Sequence, residues 1–307
     1  MSSTTISPAA VPRLRGRPVA LLQDFLPRLV LAPSFATVLL FVYGFILWTV
    51  YLSFTRSRMM PVYDLTGFDA YQRLWSQPNW YMALRNIAIF GVLYIVICTA
   101  LGLLLAILLD QKIRAEGVLR TIYLYPMAIS FIVTGTAWKW FLNPGLGLEK
   151  TLHAWGFTGF HFDWLINTRM AIYTVVIAGV WQASGFCMAM FLAGLRGIDG
   201  EILKAAQIDG ASSVNIYRRI IIPMLRPVFL SAFIVLAHMA IKSYDLVIAL
   251  TGGGPGNATE LPSTFMYSYS FTRNQMAVGA ASAVIMLMTI AAVIVPYLYS
   301  ELRERPR

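Results

Sequence analysis

Two groups of polar residues lie inside otherwise apolar stretches, where polar side chains are costly and therefore informative. The first is Lys242, Ser243, Tyr244 and Asp245, with His238 one turn earlier. Lys242 can donate to, and Asp245 accept from, the hydroxyls of a polar solute crossing a membrane. The competing reading pairs the two, three apart on one helix face, as ions that neutralise each other near an interface. The second group is Trp181, Gln182 and Ser184. It reads as an aromatic platform beside an amide, or as helix–helix hydrogen bonding. Gly252, Gly253, Gly254 and Pro255 invite a phosphate-cradle reading, but no Gly-Lys-Ser/Thr follows and no strand precedes them. A tight re-entrant turn fits them better. Cys98 and Cys187 sit within apolar runs and read as small hydrophobes. His153, His161 and His238 lack metal-ligand spacing, so no metal is expected. No Walker motif or nucleophile triad appears, so no ATP hydrolysis and no cofactor are expected of the chain itself.

The composition says what kind of element holds these groups. Apolar residues make up 58% of the 307 residues and charged ones 12%, and the mean hydropathy is strongly positive. That balance excludes a soluble domain and indicates an all-α polytopic membrane protein. The net charge of +10 is spread between apolar runs. Lipid headgroups and topology account for it, not nucleic acid. Six runs are long enough to cross a hydrocarbon core of roughly 30 Å: about 29–54, 82–109, 120–142, 170–195, 228–250 and 276–300. Pro126 is expected to break the third. Trp75, Trp80 and Tyr81 read as interfacial, and a short surface helix is expected near 148–155. Gly91, Gly102, Gly185 and Gly194 read as close-packing positions. The chain thus divides into a tail (1–28), a six-helix domain (29–300) and a short charged tail (301–307). Of the 24 Lys and Arg, fifteen fall on the tails and the two loops on their side, eight on the opposite side, and Lys242 inside a span. That bias expects both ends in the cytoplasm.

One long polar stretch interrupts the pattern, EILKAAQIDGASSVNIYRRIIIPMLRP from Glu201 to Pro227. Asp199 can cap a first short helix, Glu201 suits its positive end, and Gly210 can end it in a left-handed conformation. Ser212 can cap a second helix running to a break at Pro223. Two short helices about a glycine elbow make a compact knob. Lys204-Ala205-Ala206, Gly210 four residues on, then Ile220, Ile222 and Pro223 resemble the "EAA" loop of bacterial ABC-importer permeases. The spacing holds throughout, with Lys204 in place of the family's Glu and Ile222 in place of its Leu. The resemblance implies a cytoplasmic coupling loop, about 196–226, that docks into a groove on an ATPase subunit. Glu201, Lys204, Ala205, Ala206, Asp209, Gly210, Ile220 and Pro223 are then the coupling residues, with Ala205 and Ala206 keeping the docking face low.

A second resemblance lies in LTGGGPGNATELPS, Leu250 to Ser263. It is similar to carbohydrate-type permeases of the maltose and glycerol-3-phosphate F/A kind. It implies a sugar ABC importer of the bacterial inner membrane, in which this chain is one permease of a heterodimer. An ATPase dimer would bind the ATP, and an extracytoplasmic sugar-binding protein would deliver substrate. Trp181, Gln182, Ser184, His238, Lys242, Tyr244 and Asp245 become candidates for the sugar pathway. The segment from Ser243 to Ala283 looks most like glucose/mannose-type permeases. An ion-gradient-driven secondary transporter is the alternative. It needs repeat symmetry and intramembrane acids, and neither is clear.

Overall fold

The computed structural model describes residues 28, 30–111 and 113–304, the side chains at 297, 298 and 300–304 apart. The expected N-terminal tail lies outside these residues except for Arg28, as do Lys112 and the last three positions. The chain divides between Tyr51 and Leu52 into two units.

The first unit holds all but the last residue of α1, Val30–Leu52, which carries a π turn at Leu39–Tyr43. The helix is apolar throughout and exposes its large side chains, Leu31, Phe35, Leu40 and Leu47 among them. A helix that is hydrophobic all round belongs in lipid or in a protein core.

In the second unit the chain runs through α2 (Asp69–Trp75), α3 (Pro78–Leu109), α4 (Glu116–Ala128), α5 (Phe131–Phe141), α6 (Leu148–Ala154) and α7 (Ala171–Arg196). It continues through α8 (Gly200–Ile208), α9 (Ser213–Met224), α10 (Arg226–Ile241), α11 (Asp245–Leu250), α12 (Pro262–Tyr267) and α13 (Met276–Glu304). Among the described residues the only β pairing is a single bridge between Thr55 and Leu65. α6 falls on the expected surface helix. α2 went unexpected, because seven residues in a polar loop carry too little periodicity to announce a helix.

α3 and α7 form the centre. The buried side of α3 runs Phe90, Tyr94, Cys98, Gly102 and Ala106, one residue every turn. That stripe faces α7, where Cys187, Met188 and Phe191 are also buried. Both cysteines are free and sit in this core. Gly102 lets the two helices touch: a Cβ there would collide with Cys187. Gly185 does the same against the backbone of Tyr123, and Gly194 against Val228 and Leu225. Gly91 departs from expectation, since nothing lies near a Cβ built on it. A second, smaller core joins Leu74, Trp80, Phe265, Tyr269 and Ala281. Trp80 is fully buried there, so it is a core residue and not the interfacial one its neighbours suggested.

Four helices, α1, α3, α7 and α13, are long and apolar enough to span a membrane. Two bent pairs bring the number to six: α4–α5, bent by 99°, and α9–α10, bent by 62°. Six is the number reached if each bent pair is one span, and two of the expected span limits change. The third span breaks at Ile129 and Ser130, not at Pro126. Pro126 stays inside α4, while Ile129 is extended and Ser130 caps α5 by accepting from Val133 N–H. A proline forbids a bond four residues back but leaves the following residues free to finish the turn. The fifth span ends at Ile241, not at residue 250. Lys242 to Tyr244 form a turn, and α11 then packs against α5, where Gly135 admits Ala249.

Candidate functional site

The 199–225 arm takes the expected form. Asp199 caps α8 by accepting from Glu201 N–H at 2.9 Å. Gly210 has φ +75°, and Ala211 N–H reaches back to Ala206 O at 3.0 Å. That bond and the left-handed glycine close the helix end. Ser212 has the extended backbone of a cap, but its side chain makes no capping bond. α9 passes through a π turn at Tyr217–Ile221, where Ile222 N–H bonds Tyr217 O, and so it continues through Pro223 to Met224. A widened turn is one way for a helix to accommodate a proline that cannot donate.

The arm has two faces. Ala206, Ile216, Ile221 and Leu225 are buried in the main core, with Leu203 and Ile220 packed against it. Ile208 and Val214 flank the elbow and are 86% and 74% exposed. Ala205 and Asp209 are exposed beside them, and Pro223 is half-buried. Ala206 corrects an expectation. It belongs to the arm's inner packing, so Ala205 alone of the pair is on the outward face. Lys204 Nζ bonds Glu201 Oε1 at 2.9 Å with both side chains exposed, an arrangement that adds little stability.

Several residues that sequence reasoning passed over tie the arm's base to the bundle. Arg196, at the end of α7, forms ion pairs with Glu116 at 2.8 Å and, more loosely, with Asp110 at 3.7 Å. Tyr217 Oη is 3.4 Å from Gln111 Nε2. The visible signal was a pair of acids bracketing the 110–116 loop opposite a lone arginine.

The two polar groups come to different places. Gln182 is 2% exposed and donates to Ile129 O at 2.7 Å, satisfying the carbonyl that the α4–α5 break sets free. Trp181 lies edge-on to Trp138 at 5.9 Å. It lines, with Ser184, Tyr123, Leu101 and Val180, a mostly apolar groove of about 580 Å³. Lys242, Tyr244 and Asp245 sit at the turn between α10 and α11. Lys242 and Asp245 are exposed, and among the described residues no ion pair joins them. The helix ends between them, so the self-neutralising pair on one helix face does not form. Tyr244 meets the Tyr267 ring at 4.9 Å, and Ser243 O accepts from Ser263 Oγ at 3.3 Å. His238 lies on α10 beside Ile290 and Val293 of α13.

The glycine-rich run is a tight turn. Gly252 and Gly253 have φ of +65° and +87°, values that side chains other than glycine adopt at a cost. Thr251 and Thr259 close its base, Oγ1 to Oγ1 at 2.6 Å. Asn86 of α3 holds it in place, donating to the carbonyls of Ala258 and Glu260, both at 3.0 Å. Glu260 is buried, and burial pushes its carboxyl up to about 7 although Arg273 opposes the shift. Nearby, Tyr269 Oη donates to Gln77 Oε1 at 2.9 Å and receives Arg273 at 3.1 Å. A polar cleft of about 560 Å³ adjoins, with Arg56, Arg58, Arg73 and Arg273 on its walls.

The structure also gathers residues that the histidine spacing had dismissed. Glu149 and His153, one turn apart on α6, meet His161 from the following loop. Glu149 Oε1 is 3.2 Å from His161 Nδ1, and its Oε2 accepts from Phe162 N–H at 3.1 Å. These contacts hold the Glu149 carboxyl below the usual range. A search among histidines alone missed the group because its third member is a carboxylate.

An all-α bundle with broken spans and a tethered helix–glycine–helix arm defines a membrane permease subunit, and comparison with known proteins agrees. Residues 98–304 match the family of binding-protein-dependent transport system inner membrane components. The chain belongs to that family. It is 40% identical over 273 residues to a probable ABC transporter permease of Pyrococcus horikoshii, covering 88% of this chain and 94% of the relative. It is 36% identical over 267 residues to the xylose/arabinose import permease XacH of Haloferax volcanii, covering 86% and 84%. To the trehalose/maltose permease MalF of Thermococcus litoralis it is 30% identical over 273 residues, covering 88% and 91%. Its fold is that of a chain in a bacterial transporter that imports the acidic polysaccharide alginate, with a TM-score of 0.80 over 94% of this chain and 98% of the other at 18% identity. The chain is thus an inner-membrane transport component, an ABC permease.

Proposed function

We propose that this permease forms one half of the pathway of an ATP-driven sugar importer and takes its energy from a separate cytoplasmic ATPase through the 199–225 arm. The observation that carries this reading is the arm's two-sidedness. Ala206, Ile216 and Ile221 root it in the core, while Ile208 and Val214 project from a glycine-set elbow. Apolar side chains held out on a rigid elbow fit a groove on a soluble partner. The basic bias of the arm and tails supports a cytoplasmic elbow and cytoplasmic termini. A second permease completes the pathway, and an extracytoplasmic binding protein delivers sugar to the opposite face. Lys242 and Asp245, exposed and not paired with each other, are the groups best able to meet sugar hydroxyls at the α10–α11 turn, with Tyr244 beside them. Trp181 and Ser184 line the separate apolar groove.

The sugar is assigned by resemblance. The 243–283 segment points to a glucose/mannose-type substrate, whereas one relative is named for xylose and arabinose. Reconstitution of the complete complex in proteoliposomes, with ATP inside and labelled glucose, mannose, xylose or arabinose outside, tests the reading. Uptake should require internal ATP and the binding protein. Uptake driven by a proton or sodium gradient without ATP would overturn it.

A further inference from the structure

We propose that Glu149, His153 and His161 form a binding site for a first-row divalent cation, Zn²⁺ foremost, that clips α6 to the segment following it. The three side chains offer one carboxylate oxygen and two imidazole nitrogens, and these atoms lie within 4.8 Å of one another. A tetrahedral ion with bonds of about 2.0–2.1 Å to nitrogen and oxygen needs its ligands roughly 3.3 Å apart. Glu149 Oε1 and His161 Nδ1, at 3.2 Å, already have that separation. The third ligand atom, within 4.8 Å of the other two, has to close to that distance as the ion binds.

The surroundings are those of a ligand set. His153 Nε2 lies 2.7 Å from Phe160 O. A carbonyl there holds the proton on Nε2 and leaves Nδ1 with its lone pair, the outer-shell arrangement that orients metal-binding histidines. Glu149 Oε2 is anchored by Phe162 N–H, and an ion would take the place of the proton that Oε1 now shares with His161 Nδ1. His161 is 75% exposed at its side chain, so water can enter the fourth position. Two imidazoles select zinc and its neighbours over calcium or magnesium, which prefer all-oxygen sites.

The consequence is local order. Phe160, Phe162 and Trp164 stack in succession, at 6.5 Å and 5.0 Å. Trp164 meets Tyr173 of α7 at 6.3 Å. An ion held between α6 and His161 fixes the start of this ladder and, through it, the entry to α7.

The test uses the full chain without a polyhistidine tag, purified in detergent and stripped with EDTA. Zn²⁺ is titrated by calorimetry, and Co²⁺ by its visible absorption, which reports tetrahedral coordination. One ion per chain should bind in the micromolar range or tighter. Binding should quench or shift tryptophan fluorescence through Trp164. Affinity should fall by about tenfold or more from pH 7.5 to pH 5.5, because imidazole must lose its proton to ligate. His161→Asn and Glu149→Gln should each weaken binding by at least about tenfold, while His238→Asn leaves it unchanged. His161 is exposed enough that its variant should fold, which circular dichroism checks. Absence of stoichiometric binding to the folded chain would overturn the proposal. So would binding that survives the His153→Ala/His161→Ala double change.

Discussion

Glu260 shows at the residue scale how placement changes chemistry. It is a carboxylic acid beside a glycine turn, 5% exposed, with one oxygen that finds no hydrogen-bond partner among the described residues. Burial raises its carboxyl from the usual 4.5 to about 7. The folded state therefore holds this proton more tightly than the unfolded chain does. The stabilisation is complete below pH 4.5 and is lost as the pH climbs through about 7. Thermal unfolding of the detergent-solubilised chain should accordingly move to lower temperature as pH rises across that window. Glu260→Gln keeps a neutral side chain of the same shape and should flatten this part of the profile. An unchanged slope in the variant would mean that the carboxyl titrates normally. Gln182 makes the complementary point. Its polarity within a span suggested either solute or packing, and its bond to Ile129 O assigns it a part in packing. A broken helix leaves a carbonyl without a partner, and leaving such a group buried costs about 1–3 kcal/mol.

At the element scale the arm combines a fixed root with a projecting elbow. No atom lies within 4 Å of a Cβ built at Gly210, yet its φ is +75°. Gly210→Val therefore acts chiefly through backbone strain of roughly 1–2 kcal/mol. The strain acts where α8 hands over to α9, so the bundle should insert normally while the elbow loses its set angle. Sugar-stimulated ATP hydrolysis and uptake should fall together in the reconstituted complex, with membrane insertion unaffected. Full stimulation in the variant would show that the elbow's geometry is not what couples. Ala206→Trp is a different experiment from the one its sequence position suggested. It overfills the arm's root against Ile216 and Leu225, so it is expected to unseat the whole arm.

At the scale of the molecule, the proposed topology has both termini and the elbow on the same side of the membrane, as the basic bias of the sequence expects. Reporter fusions at Arg307 and within the 143–169 loop should give opposite signals, cytoplasmic at the former and extracytoplasmic at the latter. An extracytoplasmic signal at Arg307 with a cytoplasmic one in the loop would reverse the topology, and matching signals would refute the span count. Much of the architecture was legible in the sequence because its causes are local. Long apolar runs need no tertiary partner to declare spans, and Asp199 and Gly210 mark an end of α8 by their own backbone preferences. The Lys204–Pro223 spacing carried the family for the same reason, since it records a local shape. What only the tertiary structure decided depends on groups far apart in the chain. The turn at Lys242–Tyr244 ends a run that is apolar on both sides, and it takes the packing of α11 on α5 to hold it there. Asn86 reaches the glycine turn 172 and 174 residues away, and Arg196 reaches Glu116 across the arm's base. Glu149, His153 and His161 meet because a loop folds back onto α6. Periodicity reports which face of an element is apolar, whereas these contacts depend on which element that face meets, and packing alone settles that.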